Sequence, residues 1–383
     1  MFLVLNDKPV LHRLPEWFPR ADRDLIVVST RGALGERPFS VLARRFRHLH
    51  LVGNTDRPDL EEDLAKLCRR FGVRRVLATG ERDVLRAARL REQLGLPGQD
   101  VASATAYHDP RVTRSLLTAA GIPVAPIRSP ATAADADTLA ATYAQGRLYQ
   151  VNGLMDAGRP VLAQPSHQPY PDWFSAVYGT PETSGMMPDG DPLSERLRET
   201  AARVLAALPA VPGLCAFQIE LFHTPDDRLS VSRAACRAGG SLVVETHEAT
   251  LGVNLHGAGL LGQAGLGDRV TVRPTGRRQG YARFPAAHGV LRRLPRHCPL
   301  PRTVSYRATG EEGRSYTSET ARSAPLAELV VSLSGPDTAA ELLDLETWWE
   351  SAVRWEDRHD RLPEHLTSDR RVRPATRERA FHV

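Results

Sequence analysis

From the N-terminus to about residue 100 the chain alternates short apolar runs with longer stretches of helical period. Leu25–Val28 reads as a buried strand ending at Ser29, Thr30 and Gly32, and His48–Val52 as another, followed by Gly53 and Asn54. The spacing predicts a helix from Asp59 to Phe71, with acids first and bases last as the helix dipole favours, closed by Gly72. Arg75–Ala78 is the next strand, and Glu81–Leu94 the next helix, closed by Gly95. Apolar strands alternating with helices imply a parallel sheet covered by helices.

After residue 100 the rhythm changes. Asp109 can cap a helix running to Ala120, ended by Gly121 and Pro123, and residues 125–146 read as one Ala-rich helix. Leu148–Met155 and Pro160–Gln164 predict a hairpin turning at Asp156–Gly158. Residues 166–191 are rich in Pro, Gly and Ser and read as a long loop of the kind that carries function. Leu193–Leu208 is an amphipathic helix, and Phe217–Phe222 with Arg228–Ala234 a second hairpin. Ser241–His256 reads as helical or strand-to-helix, residues 268–335 as short strands, and Thr338–Trp355 as a helix carrying Trp348, Trp349 and Trp355. Trp348 and Trp355, seven apart, share a stripe that suggests self-association as a homodimer or plain core packing.

A chain of 383 residues suits two or three domains, and 42% hydrophobic with 25% charged residues is ordinary for a soluble globular protein. No apolar run approaches a membrane span, and the opening strand meets Asp7 and Lys8 too soon for a signal peptide, so a cytoplasmic protein without a membrane role is expected. Net charge is only +5, with acids and bases interspersed, which argues against nucleic acid as a partner. Cys68, Cys215, Cys236 and Cys298 form no CxxC pair, so neither zinc nor a disulfide framework is expected. Lysine is confined to Lys8 and Lys66, and the rest of the 50 basic residues are arginine. A GC-rich coding sequence accounts for most of that bias, so a missing lysine counts only where chemistry requires one.

Three segments resemble the carboxylate–amine ligase branch of the ATP-grasp superfamily. The first runs through Gly80-Glu81, Leu94-Gly95-Leu96-Pro97-Gly98 and Asp109 to Gly121-Ile122-Pro123-Val124. The second is Tyr149-Gln-Val-Asn-Gly153 with Asp156-Ala-Gly-Arg159. The third, and most specific, is Phe217-Gln-Ile-Glu220 with Arg233-Ala-Ala-Cys-Arg237-Ala-Gly-Gly240. The resemblance implies an α/β fold: a parallel α/β N-terminal domain, then an ATP-grasp-like α+β domain with an antiparallel sheet. The implied layout is a pre-ATP-grasp domain at 1–105, junction helices at 106–147, the core and C-terminal subdomain at 148–355, and a charged tail at 356–383.

In that family, lysines grip the ATP phosphates and two strand carboxylates hold Mg²⁺ while an acyl phosphate forms. An arginine nearby binds carboxylate or phosphoryl oxygens through its planar fork. This sequence departs from the pattern in three places. Asp109-Pro110 stands where the family has Asp-Lys. The stretch from Pro123 to Val151 is too short for the lid subdomain with its second lysine. Arg233 stands where the second metal carboxylate is expected, and a cation there repels Mg²⁺. The resemblance therefore implies a degenerate member that lacks most of the lid, with ATP and Mg²⁺ lost as cofactors and no metal site.

Glu220 and Arg237 remain as candidate catalytic residues, or as an ion pair left over from an ancestor. Arg233, Asn152, Ser166, His167 and His247 are the candidate ligand-binding residues. Glu245, His247 and Glu248 make too short a cluster for a metal. The expected partner is a small anionic or zwitterionic metabolite, in a setting such as bacterial specialised metabolism. The alternatives are a non-catalytic scaffold for an intact ligase, an enzyme running ATP-independent transfer or elimination, and a ligase whose lid comes from a partner.

Overall fold

The computed structural model describes residues 1–35, 38–57, 59–125, 146–170, 174–175, 179–317 and 325–359. Strands β1 (Phe2–Asn6), β2 (Leu25–Thr30), β3 (His48–Val52) and β4 (Arg75–Ala78) form a parallel sheet in the order β3-β2-β1-β4. Helices α1 (Leu60–Phe71) and α2 (Glu81–Leu94) cover one face, burying Leu64, Cys68, Ala87 and Leu90 against Leu3, Leu5, Ile26 and Val76. Both stop where expected, because Gly72 and Gly95 take the left-handed conformation that glycine adopts without a Cβ clash. Then come α3 (Val101–His108), capped by Asp100, and α4 (Pro110–Ala119), capped by Asp109. Helix α3 was not expected, since its run of Ala, Ser and Thr has almost no apolar stripe.

The second sheet has eight strands: β5 (Arg147–Asp156), β6 (Arg159–Gln168), β7 (Glu182–Met186), β8 (Leu214–His223), β9 (Leu229–Ala235), β10 (Arg278–Phe284), β12 (Thr303–Ala308) and β14 (Ala327–Leu333). Their order is β12-β14-β10-β7-β6-β5-β8-β9, and neighbouring strands run antiparallel. Strand β7 corrects the long-loop expectation for residues 166–191. Glu182-Thr-Ser-Gly-Met186 lies inside the sheet between β6 and β10, and β6 itself continues to Gln168. Helix α5 (Pro192–Ala207) packs Leu197, Ala201, Val204 and Leu205 on the face carrying Tyr149, Val151, Phe217 and Ile219.

Helix α6 (Val243–Leu251) covers part of the opposite face, and α7 (Leu255–Gln263) follows it. A small sheet joins β11 (His288–Arg293), β13 (Ser315–Tyr316) and β15 (Arg354–His359). Helix α8 (Thr338–Ala352) ends before Trp355, which lies on β15 with its ring edge to Tyr316. Trp349 stacks on Phe284 at 4.1 Å, and Trp348 meets Tyr306 edge-on. These three rings thus pack in the chain's own core, and the shared stripe on one helix does not exist. The charged tail expected from 356 begins within β15, and residues 360–383 lie outside the described residues. The Ala-rich helix at 125–146, and with it the junction without a lid, falls almost wholly on residues 126–145, also outside the described residues.

Helix α7 sits between the two sheets. Leu260, Leu261 and Ala264 pack on Val4, Val27 and Leu77 of the parallel sheet. Gly259 and Gly262 face β8, so closely that a Cβ on Gly262 would lie 1.8 Å from the Leu214 carbonyl oxygen. Gln263 then pairs with the end of β4, accepting from the Ala78 N–H at 2.9 Å and donating to its carbonyl at 3.0 Å. Because backbone blocks that Cβ, Gly262→Ala is expected to destabilise the fold by about 1–3 kcal/mol, the usual cost of overpacking. Gly53→Ala, whose Cβ meets nothing within 4 Å, is expected to leave the urea midpoint near wild type. Equal midpoints for the two variants would contradict the close docking of α7.

Candidate functional site

In the parallel sheet, β1 connects onward to β2 on one side while β4 pairs with it on the other, so the C-terminal ends of β1 and β4 form a switch point. Crevices at such points collect ligands, because the flanking connections diverge there. Asp7 and Lys8 follow β1, and Thr79, Gly80 and Glu81 follow β4. A Cβ at Gly80 would lie 2.1 Å from Asp7 Oδ1, so a larger residue there would displace that carboxylate. Lys8, one of the chain's two lysines, stands 3.6 Å from Asp7. Glu81 is the first residue of α2, where a carboxylate suits the helix dipole.

The β8–β9 hairpin faces this edge. Glu220 and Arg233 are partners in register, with a bulge just beyond them, and Arg233 Nη1 lies 4.0 Å from Glu220 Oε1. Arg233 Nη2 donates to Glu81 Oε2 at 2.8 Å. Arg237, just past the end of β9, donates from Nε to the same oxygen at 2.5 Å, and from Nη1 to Gln218 Oε1 at 2.6 Å and to the Ala238 carbonyl at 2.8 Å. His108 Nδ1 is 3.8 Å from the other Glu81 oxygen. Burial raises the Glu81 carboxyl, but Arg237 and Arg233 outweigh it and hold the group below its ordinary value. The site is thus a charge-balanced cluster: two guanidiniums between the carboxylates of Glu81 and Glu220.

A polar sheet face continues from it. Asn152 pairs in register with Gln218 and is fully buried, its amide donating to Gln150 Oε1 at 3.1 Å. Gln150 in turn donates to Gln168, and Ser166 lies opposite Gln150 on β6. Further along, Glu182 accepts from Arg283 Nη1 at 3.0 Å, from the Tyr281 hydroxyl at 3.3 Å and from Ser241. A face of Gln, Asn, Ser and Glu inside an otherwise apolar fold is costly unless it is hydrogen-bonded, and these contacts supply that bonding.

Among the expected site residues, the structure joins Glu220, Arg233 and Arg237 around Glu81, with Asn152 one strand away and Ser166 on the same face. His247 is buried on α6, its Nδ1 2.7 Å from the Val243 carbonyl. His167 departs from expectation. Strand alternation turns it to the other face from Ser166, against the Tyr149 ring at 5.2 Å. Sequence reasoning missed Glu81, Gln218, Lys8 and His256. Burial, helped by Lys8, pushes His256 down to about 4, with Asp7 opposing, so its imidazole is neutral beside the cluster. The signal for Glu81 was available, an acid opening a helix straight after a buried strand and glycine, but nothing local linked it to a hairpin so far along the chain.

No family model matches the chain, and no curated protein matches it. Solved structures do. An L-amino acid ligase from Bacillus licheniformis aligns over 94% of this chain and 98% of its own, with TM-score 0.65 and 15% identity. A phosphoribosylglycinamide synthetase from Anaerococcus prevotii aligns over 93% and 98%, with TM-score 0.63 and 10% identity. A biotin carboxylase from Campylobacter jejuni, solved as a β-γ-ATP complex, aligns over 93% and 92%, with TM-score 0.55 and 12% identity.

The chain has the ATP-grasp fold. At these identities the likeness fixes the arrangement of the two sheets and says nothing of the activity. Within the ATP-grasp fold, the cluster described above occupies the hairpin where the resemblance places the metal carboxylates. Among the described residues, no group of three or more His, Cys, Asp or Glu side chains could hold a metal ion, and no helix is long and apolar enough to cross a membrane.

Buried imidazoles give the fold a pH signature. Burial lowers His167 and His247 to about 4. Each therefore binds its proton more readily in the unfolded chain than in the folded one. Stability is full above pH 6.5 and falls as pH drops from there toward 4, by about 3 kcal/mol for each group. His247→Gln is expected to flatten that fall in urea unfolding measured across the range. An unchanged slope would mean that His247 is protonated in the folded protein.

Proposed function

We propose that this protein binds a small amino-acid-like carboxylate at the Glu81–Arg233–Arg237–Glu220 cluster, and that it does not run ordinary ATP-dependent ligation by itself. One observation carries the reading: two arginines and two carboxylates converge at the switch point of the parallel sheet, with one Glu81 oxygen accepting from both guanidiniums. Such a balanced cluster suits a zwitterion. The ligand carboxylate would take the planar fork of Arg237, and its ammonium would be received by Glu220 or the released Glu81. One structural neighbour, an L-amino acid ligase, is in keeping with a ligand of this kind.

The residues present do not fit a metal-bound triphosphate. A divalent ion on Glu220 would meet Arg233, 4.0 Å away on the partner strand. That repulsion is unfavourable even at a high effective dielectric. The sequence between Pro123 and Val151 leaves no room for a lysine-bearing lid, and contains no lysine. These features support a reading without nucleotide, in which Glu220 and Arg237 are the residues available for any ATP-independent transfer or elimination. The engagement of both arginines by Glu81 favours one second reading, a non-catalytic scaffold partner of an intact ligase.

A panel of amino acids and short dicarboxylates, followed by thermal shift and then calorimetry, tests the proposal. The expected result is a ligand whose affinity is unchanged by Mg²⁺ and ATP, and which Arg237→Ala weakens by about 1.5–3 kcal/mol, the scale of a hydrogen bond to a charged group. Identical responses of wild type and Arg237→Ala to every compound would favour the scaffold. Micromolar binding of ATP would contradict the loss of the nucleotide site.

A further inference from the structure

Behind the hairpin, on the side away from Glu81, lies a cavity of about 260 Å³. Its polar wall is Arg75, Arg91, Gln99 and Gln263, and the thiols of Cys215 and Cys236 close it on the hairpin side. Among the described residues that line it there is no Asp or Glu. Arg91, 4% exposed, spends its guanidinium on neutral acceptors: the Val76 carbonyl at 3.1 and 2.6 Å, the Gln99 carbonyl at 3.1 Å and Gln263 Oε1 at 3.3 Å. The side chain of Arg75, the first residue of β4, makes no hydrogen bond or ion pair with any other described residue. Gly98, at φ +140°, leaves room for Arg91, since a Cβ there would lie 2.7 Å from its Nε.

Arg91 is buried and met only by neutral acceptors, and the half-buried Arg75 faces the same partly open space, so two positive charges meet there with no carboxylate among the described lining residues, a potential that favours an anion. Burial already pulls Arg91 down to about 10, with Arg75 adding to the effect. The thiols supply no negative charge: burial pushes Cys236 up to about 11 and Cys215 well above its ordinary value. The volume lies below the range of sites for drug-sized ligands.

We infer that this cavity is a binding site for a small oxyanion, a phosphate or a short carboxylate, held between the guanidiniums of Arg75 and Arg91. The site stands independently of the ligand proposed for the hairpin, yet the same two elements serve both. Helix α2 carries Glu81 in its first turn and Arg91 in its last, and the end of β9 sends Cys236 to the cavity and Arg237 to Glu81. A bound oxyanion braces both elements at once.

Calorimetry with inorganic phosphate, and separately with acetate, on the full chain tests this. The expected result is one saturable site for at least one of the two anions. Arg75→Ala is expected to weaken it by about tenfold or more, and Arg237→Ala to leave it within about twofold. No binding of either anion at millimolar concentration overturns the inference, as does an affinity unaltered by Arg75→Ala. An affinity lost only in Arg237→Ala would place the anion at the hairpin instead, and also overturns it. If Arg75→Ala does not fold, selenate in wild-type crystals decides: an anomalous peak between Arg75 and Arg91 supports the site, and its absence overturns it.

Discussion

The carboxylate of Glu81 is the tie on which the candidate site depends. It stands at the start of α2, on the edge of the parallel sheet, and accepts from two guanidiniums that belong to the antiparallel sheet. Without it, Arg237, whose side chain is only 13% exposed, would face Glu220 and Gln218 across a crevice with too little negative charge. The geometry is possible because α7 holds the sheets close. Gly259 and Gly262 let the helix press on β8, while its leucines fill the other face of the parallel sheet. Arg13 adds a second tie, donating through Nη1 and Nη2 to both oxygens of Glu248 at 2.6 and 2.7 Å and so linking the N-terminal segment to α6.

What lies under that tie is a sheet face that breaks the usual rule for interiors. Gln150, Asn152, Ser166, Gln168, Gln218 and Glu182 are buried where an ordinary core would place Val or Leu. The opposite face of the same strands is a conventional apolar core of Tyr149, Val151, Phe217 and Ile219. Strand alternation therefore separates an apolar core from a buried polar face within single strands. A fold that keeps one face polar gives up hydrophobic burial there, and the hydrogen-bonded chain from Asn152 through Gln150 to Gln168 limits the cost.

Much of the scaffold was legible in the sequence because its signals are local. The apolar runs at Leu25–Val28 and Arg75–Ala78, the capping Asp109 and the helix-closing Gly72 and Gly95 each act within a few residues. The two hairpins were legible too, although β5, β6 and β8 proved longer than their apolar patterns. Strand β7 was hidden for the same reason that it matters, since Glu182 and Ser184 face the polar side and leave no apolar alternation to read. Trp355 was misplaced because period alone does not mark where α8 stops at Val353. At the site, Glu220, Arg233 and Arg237 were named through the resemblance of their hairpin to the ATP-grasp family, while Glu81 was not, because its role exists only once the two sheets dock.

The most direct test of this account is a double-mutant cycle on Glu81 and Arg237. Unfolding free energies of wild type, Glu81→Gln, Arg237→Gln and the double variant would be measured at neutral pH in low salt. A carboxylate and a guanidinium joined as described predict a coupling of about 1.5–3 kcal/mol. A coupling near zero, with the single effects simply adding, would mean that Glu81 does not hold the hairpin, and the site built on that contact would not stand.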